Sequence, residues 1–154
     1  MSARLLYVVD PMCSWCYGFA PVLDAVRGKL RADVSMDLVM GGLAPDSDAP
    51  MDAETRQYVQ QAWRAVEAQT RVPFNHDFWT ECAPRRSTYI ACRAVILARA
   101  EAKEWDMLRA IQTAYYREAR NPSDASTLVD LAAKLGMDAA SFKAHLNAPE
   151  THRL

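Results

Sequence analysis

The stretch Asp10-Pro11-Met12-Cys13-Ser14-Trp15-Cys16-Tyr17-Gly18-Phe19 lies where the chain passes from one predicted element into another. Before it, residues 4–9 form a short apolar run with β-branched and aromatic members, which is typical of a buried strand in a parallel or mixed sheet. After it, apolar residues recur at helical spacing to about Leu30, so the two cysteines open a predicted helix. Pro21 lies inside that helix and should kink it.

A second strand is predicted over residues 34–40, and Gly41-Gly42 ends it. Strand, helix and strand within about forty residues form a βαβ unit, whose crossover is expected to be right-handed. The rest of the chain is predicted to be helical, except for an irregular loop at 71–86 that carries two prolines. Predicted helices follow N-caps at Asp52, Ser87, Asp124 and Asp138, and a further helix is expected at about residues 103–120.

The spacing of Cys13 and Cys16 suits thiol–disulfide exchange when the pair opens a helix. Residues three apart in a first helical turn lie on one face, so two sulfur atoms can reach bonding distance with little backbone movement. The helix N-terminus offers unpaired amides and a partial positive charge, which favour the thiolate of the first cysteine. Since the thiolate is the attacking species, Cys13 is the predicted nucleophile and Cys16 the resolving thiol. Neither Ser14 nor Trp15 is cationic, so the helix terminus should supply most of any fall in the pKa of Cys13.

Composition and charge exclude several classes of protein. The 154 residues, 51% apolar and 24% charged, suffice for one ordinary domain with a hydrophobic core. A net charge of −1 offers no electrostatic footprint for nucleic acid or anionic lipid. The N-terminal apolar run is too short for a signal peptide and no run could span a bilayer, so a cytoplasmic location is predicted. Because cytoplasmic thiols are kept reduced, the four cysteines favour chemistry or metal binding over a structural disulfide framework.

Other interpretations of the cysteines remain open. Cys13 and Cys16 could be ordinary small core residues, or half of a tetrahedral zinc site completed by Cys82 and Cys92 or by His76. Structural zinc usually shows a second tight ligand pair, whereas nine residues separate Cys82 from Cys92, so no metal site is predicted. Those two could also be a second redox pair, although a loop thiol and a small helix-face residue are the plainer interpretation.

The stretch from Asp10 to Phe19 strongly resembles the DsbA-like proteins of the thioredoxin superfamily, above all the bacterial cytoplasmic FrnE-like group of predicted protein-disulfide isomerases. The pattern Asp-Pro-x-Cys-x-Trp-Cys-Tyr is specific to that family. The resemblance continues through Gly41-Gly42-Leu43 and Pro84-Arg85-Arg86-Ser87, with Ala91 and Cys92, and spans nearly the whole chain. It implies a thioredoxin-type sheet interrupted after its second strand by a large all-helical insertion, with the two cysteines of the motif in the roles given above.

The sequence departs from this family at its C-terminal end. Family members continue past the insertion with an antiparallel strand pair and a final helix, and a cis-proline before the first of those strands packs against the cysteines. This chain stops at Thr151-His152-Arg153-Leu154, so the C-terminal half of the thioredoxin fold is expected to be missing. The predicted organisation is a βαβ portion at 1–50, a helical insertion at 51–150 and the start of the return at 151–154. The sheet would then have an open edge, which a second copy could cover to form a homodimer.

The predicted fold is therefore α/β, and the predicted function is a thiol–disulfide oxidoreductase or isomerase that acts on protein or small thiol substrates. A redox-active disulfide needs no cofactor, and neither nucleic acid nor a membrane is an expected partner. Because the resemblance implies that the insertion faces the active site, Phe74, Phe78 and Trp79 are expected to line a substrate groove together with Trp15. Two alternatives remain: a glutathione-linked isomerase or transferase of the same fold, which typically has serine at the first cysteine position, and a non-enzymatic zinc-stabilised domain.

Overall fold

A computed structural model describes residues 3–151 of the chain. The predicted return at 151–154 therefore lies, apart from Thr151, outside the described residues. No helix of the described chain is both long and apolar enough to cross a membrane. The elements are β1 (Ala3–Val9), α1 (Ser14–Arg27), β2 (Val34–Met40), α2 (Ala53–Thr70), α3 (Phe78–Glu81), α4 (Tyr89–Arg99), α5 (Glu104–Tyr116), α6 (Ala125–Lys134) and α7 (Ala139–Leu146).

The first two strands and the helix between them form the predicted βαβ unit. β1 and β2 are parallel neighbours, paired in register from Ala3 with Val34 to Val9 with Met40. The connecting helix α1 continues through Pro21 as a single helix. Because the strands are parallel, their carboxyl ends meet at one edge of the sheet, where the chain enters α1 and where β2 gives way to the helical part.

The prediction that β1 is buried is wrong for most of its length. Leu6 and Val8 are 60% and 61% exposed, whereas Val9 is buried. Within residues 3–151 the sheet has only these two strands, and the core cluster takes in side chains from one of its faces. Tyr7 and Leu38 pair in register on that covered face, so the side chains on the opposite face of β1 remain in contact with solvent.

Two of the predicted helix caps are confirmed by hydrogen bonds. The carboxylate of Asp52 accepts the backbone N–H of Thr55 at 2.8 Å and begins α2. The carboxylate of Asp138 likewise accepts the N–H of Ser141 at 2.6 Å and begins α7. Each bond satisfies one of the amides that a helix leaves without a partner in its first turn.

The other two predicted caps differ from the structure. α4 begins one residue later than expected, so Thr88 and not Ser87 is its N-cap residue. Asp124 does precede α6, but its carboxylate accepts a hydrogen bond from Arg85 at 2.5 Å and makes no capping bond. The stretch predicted as an irregular loop contains the short helix α3. The Arg85–Asp124 contact joins residues 39 positions apart, so it cannot be inferred from a local capping pattern.

Two groups of buried side chains hold the molecule together. The first joins the covered face of the sheet to α4, α5, α6 and α7. The second, called the aromatic core below, lies between α1, α2, α3 and the end of α5. It consists of Tyr17, Val59, Trp63, Val66, Phe74, Phe78, Trp79, Tyr115 and Tyr116. Since burial of one large apolar side chain contributes about 1.5–3 kcal/mol, both groups are large sources of stability.

The helix that carries the cysteines packs against α2 at Gly18. A Cβ atom at this position would lie 2.5 Å from Cγ1 of Val66 and 3.0 Å from Cγ2 of Thr70. A glycine has no Cβ, so it allows the two helices to approach this closely. This contact, together with the stacking of Tyr17 on Tyr116, ties the first turns of α1 to the helical part of the chain.

Candidate active site

Cys13 and Cys16 lie just beyond the carboxyl end of β1, where the chain turns into α1. Cys13 is the N-cap residue of this helix, and its backbone N–H donates to the carbonyl oxygen of Asp10 at 3.0 Å. Its Sγ accepts the backbone N–H of Cys16 at 3.4 Å. Both residues are free thiols of intermediate burial. The pair therefore occupies the strand-to-helix junction that the sequence predicts.

The electrostatic environment of Cys13 favours its thiolate. A hydrogen bond from the Cys16 thiol is the largest influence, and it lowers the pKa of Cys13 to about 6. Burial acts in the opposite direction, while the backbone amides of Cys16 and Trp15 lower the pKa further. The charge of Asp10 opposes them and raises it. The sequence pointed to the helix terminus as the main cause, but in the structure the neighbouring thiol acts more strongly than the amides.

Cys16 is shifted the other way. Its thiol is the hydrogen-bond donor to Cys13, and this bond, followed by burial, raises the pKa of Cys16. Tyr7 on β1 lies near the Cys16 sulfur. Burial, and then this sulfur, raise the pKa of its phenol to about 12. The pair is thus divided into one thiolate and one retained thiol, which is the division of labour that exchange through a mixed disulfide requires.

The titration of Cys13 gives a first testable prediction. Its alkylation by iodoacetamide should accelerate as pH rises, with a midpoint near 6, because only the thiolate reacts. In Cys16→Ala the hydrogen bond that most lowers the pKa is gone, so the midpoint should move upward by more than about one unit towards the ordinary value. Timed alkylation with mass spectrometry of the Cys13 peptide measures both. An equal midpoint in the two proteins would contradict this account of the site.

Asp10 is a site residue that the sequence analysis quoted but gave no role. Its side chain is 3% exposed, and one carboxylate oxygen accepts the backbone N–H of Met12 at 2.8 Å. The other oxygen accepts the N–H of Leu43, in the loop after β2, also at 2.8 Å. A buried carboxylate needs such donors to hold its charge. The signal in the sequence is an acidic residue at the end of a predicted strand, three positions before the first cysteine.

Comparison with known proteins agrees with this geometry. The model of the DSBA-like thioredoxin domain matches residues 4–153. The chain belongs to this family. Among solved structures, this DSBA-like chain is similar to a provisionally assigned protein disulfide isomerase from Nitrosomonas europaea, with 28% identity and a TM-score of 0.85 over 99% of this chain and 74% of that one. It is also similar to the cytosolic disulfide reductase DsbM from Pseudomonas aeruginosa, with 28% identity and a TM-score of 0.80 over 97% of this chain and 73% of that one.

One relative is named as an adapter protein and not as a redox enzyme. The ClpXP adapter protein SpxH of Bacillus subtilis is 23% identical over 144 residues, which cover 91% of this chain and 47% of SpxH. The DSBA-like chain thus spans about half the length of this relative. The comparisons confirm the predicted fold, which is a mixed α/β arrangement of the DsbA-like thioredoxin type. The described residues form its short sheet and seven helices.

The three aromatic residues predicted to line a substrate groove belong to the core of this DSBA-like fold. Phe74, Phe78 and Trp79 are 8%, 1% and 3% exposed. All three rings contact Trp63 of α2, with centroid separations of 5.0–5.6 Å. This burial corrects the groove prediction: a loop rich in aromatic side chains gains more by covering a buried tryptophan than by standing open to solvent.

Other apolar side chains are exposed on the segments that carry the cysteines or that hydrogen-bond to Asp10 in the DSBA-like motif. Trp15 is 47% exposed and follows Cys13 by two positions. Leu43 is 52% exposed, and its backbone is bonded to Asp10. Tyr89 is exposed at the start of α4, and its ring lies against Gly42. Trp15 alone among the four predicted contact residues is therefore accessible to a substrate.

The remaining candidates for metal binding or a second redox pair have separate partners. The thiol of Cys82 donates to the carbonyl oxygen of Ala119 at 2.9 Å. The buried Cys92 contacts the Asp10 carboxylate at 3.5 Å, and burial raises the pKa of its thiol. His76 pairs with Glu67 at 2.9 Å. Across the part of the chain that the structure describes, no three metal-ligating side chains come together.

Proposed function

We propose that the chain is a thiol–disulfide oxidoreductase that exchanges disulfides with protein or small thiol substrates through Cys13 and Cys16. The observation that carries this proposal is the opposite shift of the two thiols at the start of α1: the pKa of Cys13 falls to about 6, while that of Cys16 rises. Such a difference prepares one sulfur to attack and keeps the other protonated until it is needed. No cofactor is needed for this chemistry.

The exchange proceeds in two steps. The Cys13 thiolate attacks a sulfur of the substrate disulfide, and the other substrate sulfur leaves as a thiolate that takes up a proton. Cys16 then loses its proton and attacks Cys13, so the second substrate thiol is released and a Cys13–Cys16 disulfide remains. Two electrons have moved from the protein to the substrate, and a low-mass thiol such as glutathione would return the pair to its reduced form. The same steps in reverse oxidise a substrate dithiol.

Exposed apolar side chains near the cysteine pair favour a substrate whose disulfide lies in an apolar segment. Trp15 in the first turn of α1, Leu43 in the loop bonded to Asp10 and Tyr89 at the start of α4 are exposed apolar side chains. An extended segment that contains a disulfide could lie across this surface with its sulfur next to Cys13. The cytoplasm is the proposed location, since thiols are kept reduced there and the similar DsbM is described as cytosolic.

Reduction of insulin disulfides tests this function. With dithiothreitol as the electron source, the protein should accelerate insulin precipitation, and Cys13→Ser should remove the acceleration because no thiolate remains to attack. Cys82→Ser is the matched control, since Cys82 is partly buried, bonded to Ala119 and separate from the site. Equal acceleration by the wild type and Cys13→Ser, or equal loss in both variants, would exclude the proposal.

A further inference from the structure

Thr88 links the start of α4 to the turn that carries Cys13. Its hydroxyl donates to an oxygen of the Asp10 carboxylate at 2.7 Å, across 78 positions of sequence. The same hydroxyl oxygen accepts the backbone N–H groups of Leu43 and Ala44, each at 3.1 Å. Asp10 and Thr88 are both 3% exposed. A hydroxyl has one proton to donate and two lone pairs to accept with, so every hydrogen-bonding site of this side chain is used.

The Asp10 carboxylate in turn joins three segments of the chain. One oxygen accepts the backbone N–H of Met12, in the turn that precedes Cys13. The other receives the Thr88 hydroxyl and the N–H of Leu43. The backbone reinforces the connection, because the N–H groups of Thr88 and Tyr89 donate to the carbonyl oxygen of Ala44 at 3.0 and 3.2 Å. The start of α4 is therefore tied to Asp10 by the Thr88 side chain, and by its backbone to the loop after β2, whose Leu43 also donates to Asp10.

The turn held in this way determines where the sulfur of Cys13 lies. Asp10 accepts the N–H of Met12 through its side chain and the N–H of Cys13 through its carbonyl oxygen. These two hydrogen bonds to one residue fix the path of the chain into α1. Cys13 is then the N-cap residue of the helix, and its Sγ accepts the amide of Cys16. A buried carboxylate that loses a donor is left incompletely satisfied, and so short a turn can shift to relieve that cost.

We propose that Thr88 is a positioning residue for the Cys13 thiolate, acting through Asp10 to hold the turn that places the sulfur on the first amides of α1. This inference rests on the proposed function, since the position of the thiolate matters only if the pair exchanges disulfides. The helical part of the chain would thus help to position the nucleophile, through Asp10.

Variants that differ only in the hydroxyl test the proposal. Thr88→Val keeps the shape of the side chain and removes the donor, whereas Thr88→Ser keeps the donor. Thr127→Val in α6 is the matched control, a buried threonine that is not one of the described donors to Asp10. The readouts are the midpoint of Cys13 alkylation against pH, the equilibrium with a glutathione redox buffer, and thermal denaturation to confirm folding.

The expected result is an upward shift of the Cys13 midpoint by about 0.5–1 pH unit in Thr88→Val, which is a three- to tenfold smaller thiolate-to-thiol ratio at a given pH. The Thr88→Ser and Thr127→Val proteins should keep the wild-type midpoint. If Thr88→Val fails to fold, Thr88→Ala removes the hydroxyl with less bulk and is compared with Thr88→Ser in the same way. A folded, hydroxyl-free variant with the wild-type midpoint overturns the proposal.

The same experiment separates this inference from the proposed function. If wild-type protein does not equilibrate with the glutathione buffer, the exchange function itself is wrong. If the wild type equilibrates and the hydroxyl-free variants behave identically to it, the function stands and the role of Thr88 is wrong. A shift that appears equally in Thr127→Val would also overturn the proposal, since it would reflect a general loss of packing.

Discussion

Replacing Cys16 by serine should stop the exchange after its first step and leave the substrate joined to Cys13 in a mixed disulfide. Cys13 keeps its place on the amides of α1 in this variant, so it can still attack. Release then depends on an outside thiol in place of one held a single helical turn away. Because intramolecular attack by a well-placed group has a very high effective concentration, release should slow by at least about a hundredfold.

Trapping of a labelled disulfide peptide measures this effect. Intact-mass spectrometry should show the Cys16→Ser protein carrying one peptide, while the wild type under the same conditions is either reduced or internally oxidised. Cys13→Ser should carry none, since burial alone still raises the pKa of Cys16 and leaves its thiol a poor nucleophile near neutral pH. Trapping on Cys16 in place of Cys13 would reverse the assigned roles.

The largest loss of stability is expected for Trp63→Ala. This side chain is fully buried at the centre of the aromatic core, where it contacts six other rings, those of Phe74, His76, Phe78, Trp79, Tyr115 and Tyr116. Truncation removes its buried surface and leaves a cavity between α2, α3 and α5. The free energy of unfolding should fall by about 3–5 kcal/mol, the usual cost of replacing a buried aromatic side chain by alanine.

Urea denaturation of the reduced protein measures this loss, with Trp15→Ala as the control. Trp15 is also a tryptophan in a helix but is 47% exposed, so its removal should change the free energy of unfolding by only about 0.5 kcal/mol. Similar values for the two variants would show that the aromatic core does not hold the helical part together. A selective loss in Trp63→Ala would support its placement at the centre.

Local patterns in the sequence predicted much of the framework. The sequence predicts a strand at residues 34–40, with the bounds that the structure gives, and it predicts the cysteines at a strand-to-helix junction. The caps at Asp52 and Asp138 were also predicted, because a carboxylate that bonds an amide three residues away is a strictly local interaction. Signals of this kind need only a few neighbouring residues, so a single sequence contains them.

The missed features depend on contacts between distant segments. The side chains of Asp10 and Thr88 are hydrogen-bonded across 78 positions of sequence, and no local pattern around either residue predicts this contact. The family resemblance predicts a groove lined by Phe74, Phe78 and Trp79, yet all three pack against Trp63 of α2 in the core. The effect of the Cys16 thiol on the pKa of Cys13 cannot be predicted from the sequence, since it depends on the side-chain geometry at the N-cap.

The central claim is that Cys13 and Cys16 form one exchange-competent dithiol, and a glutathione redox titration tests it most directly. The protein is equilibrated across a series of reduced-to-oxidised glutathione ratios, its thiols are trapped, and its mass is measured intact beside Cys13→Ser. The account predicts a single two-electron transition that joins Cys13 to Cys16 in the wild type and is absent from the variant. Two thiols that stay unpaired at every ratio, or a transition that persists without Cys13, would contradict it.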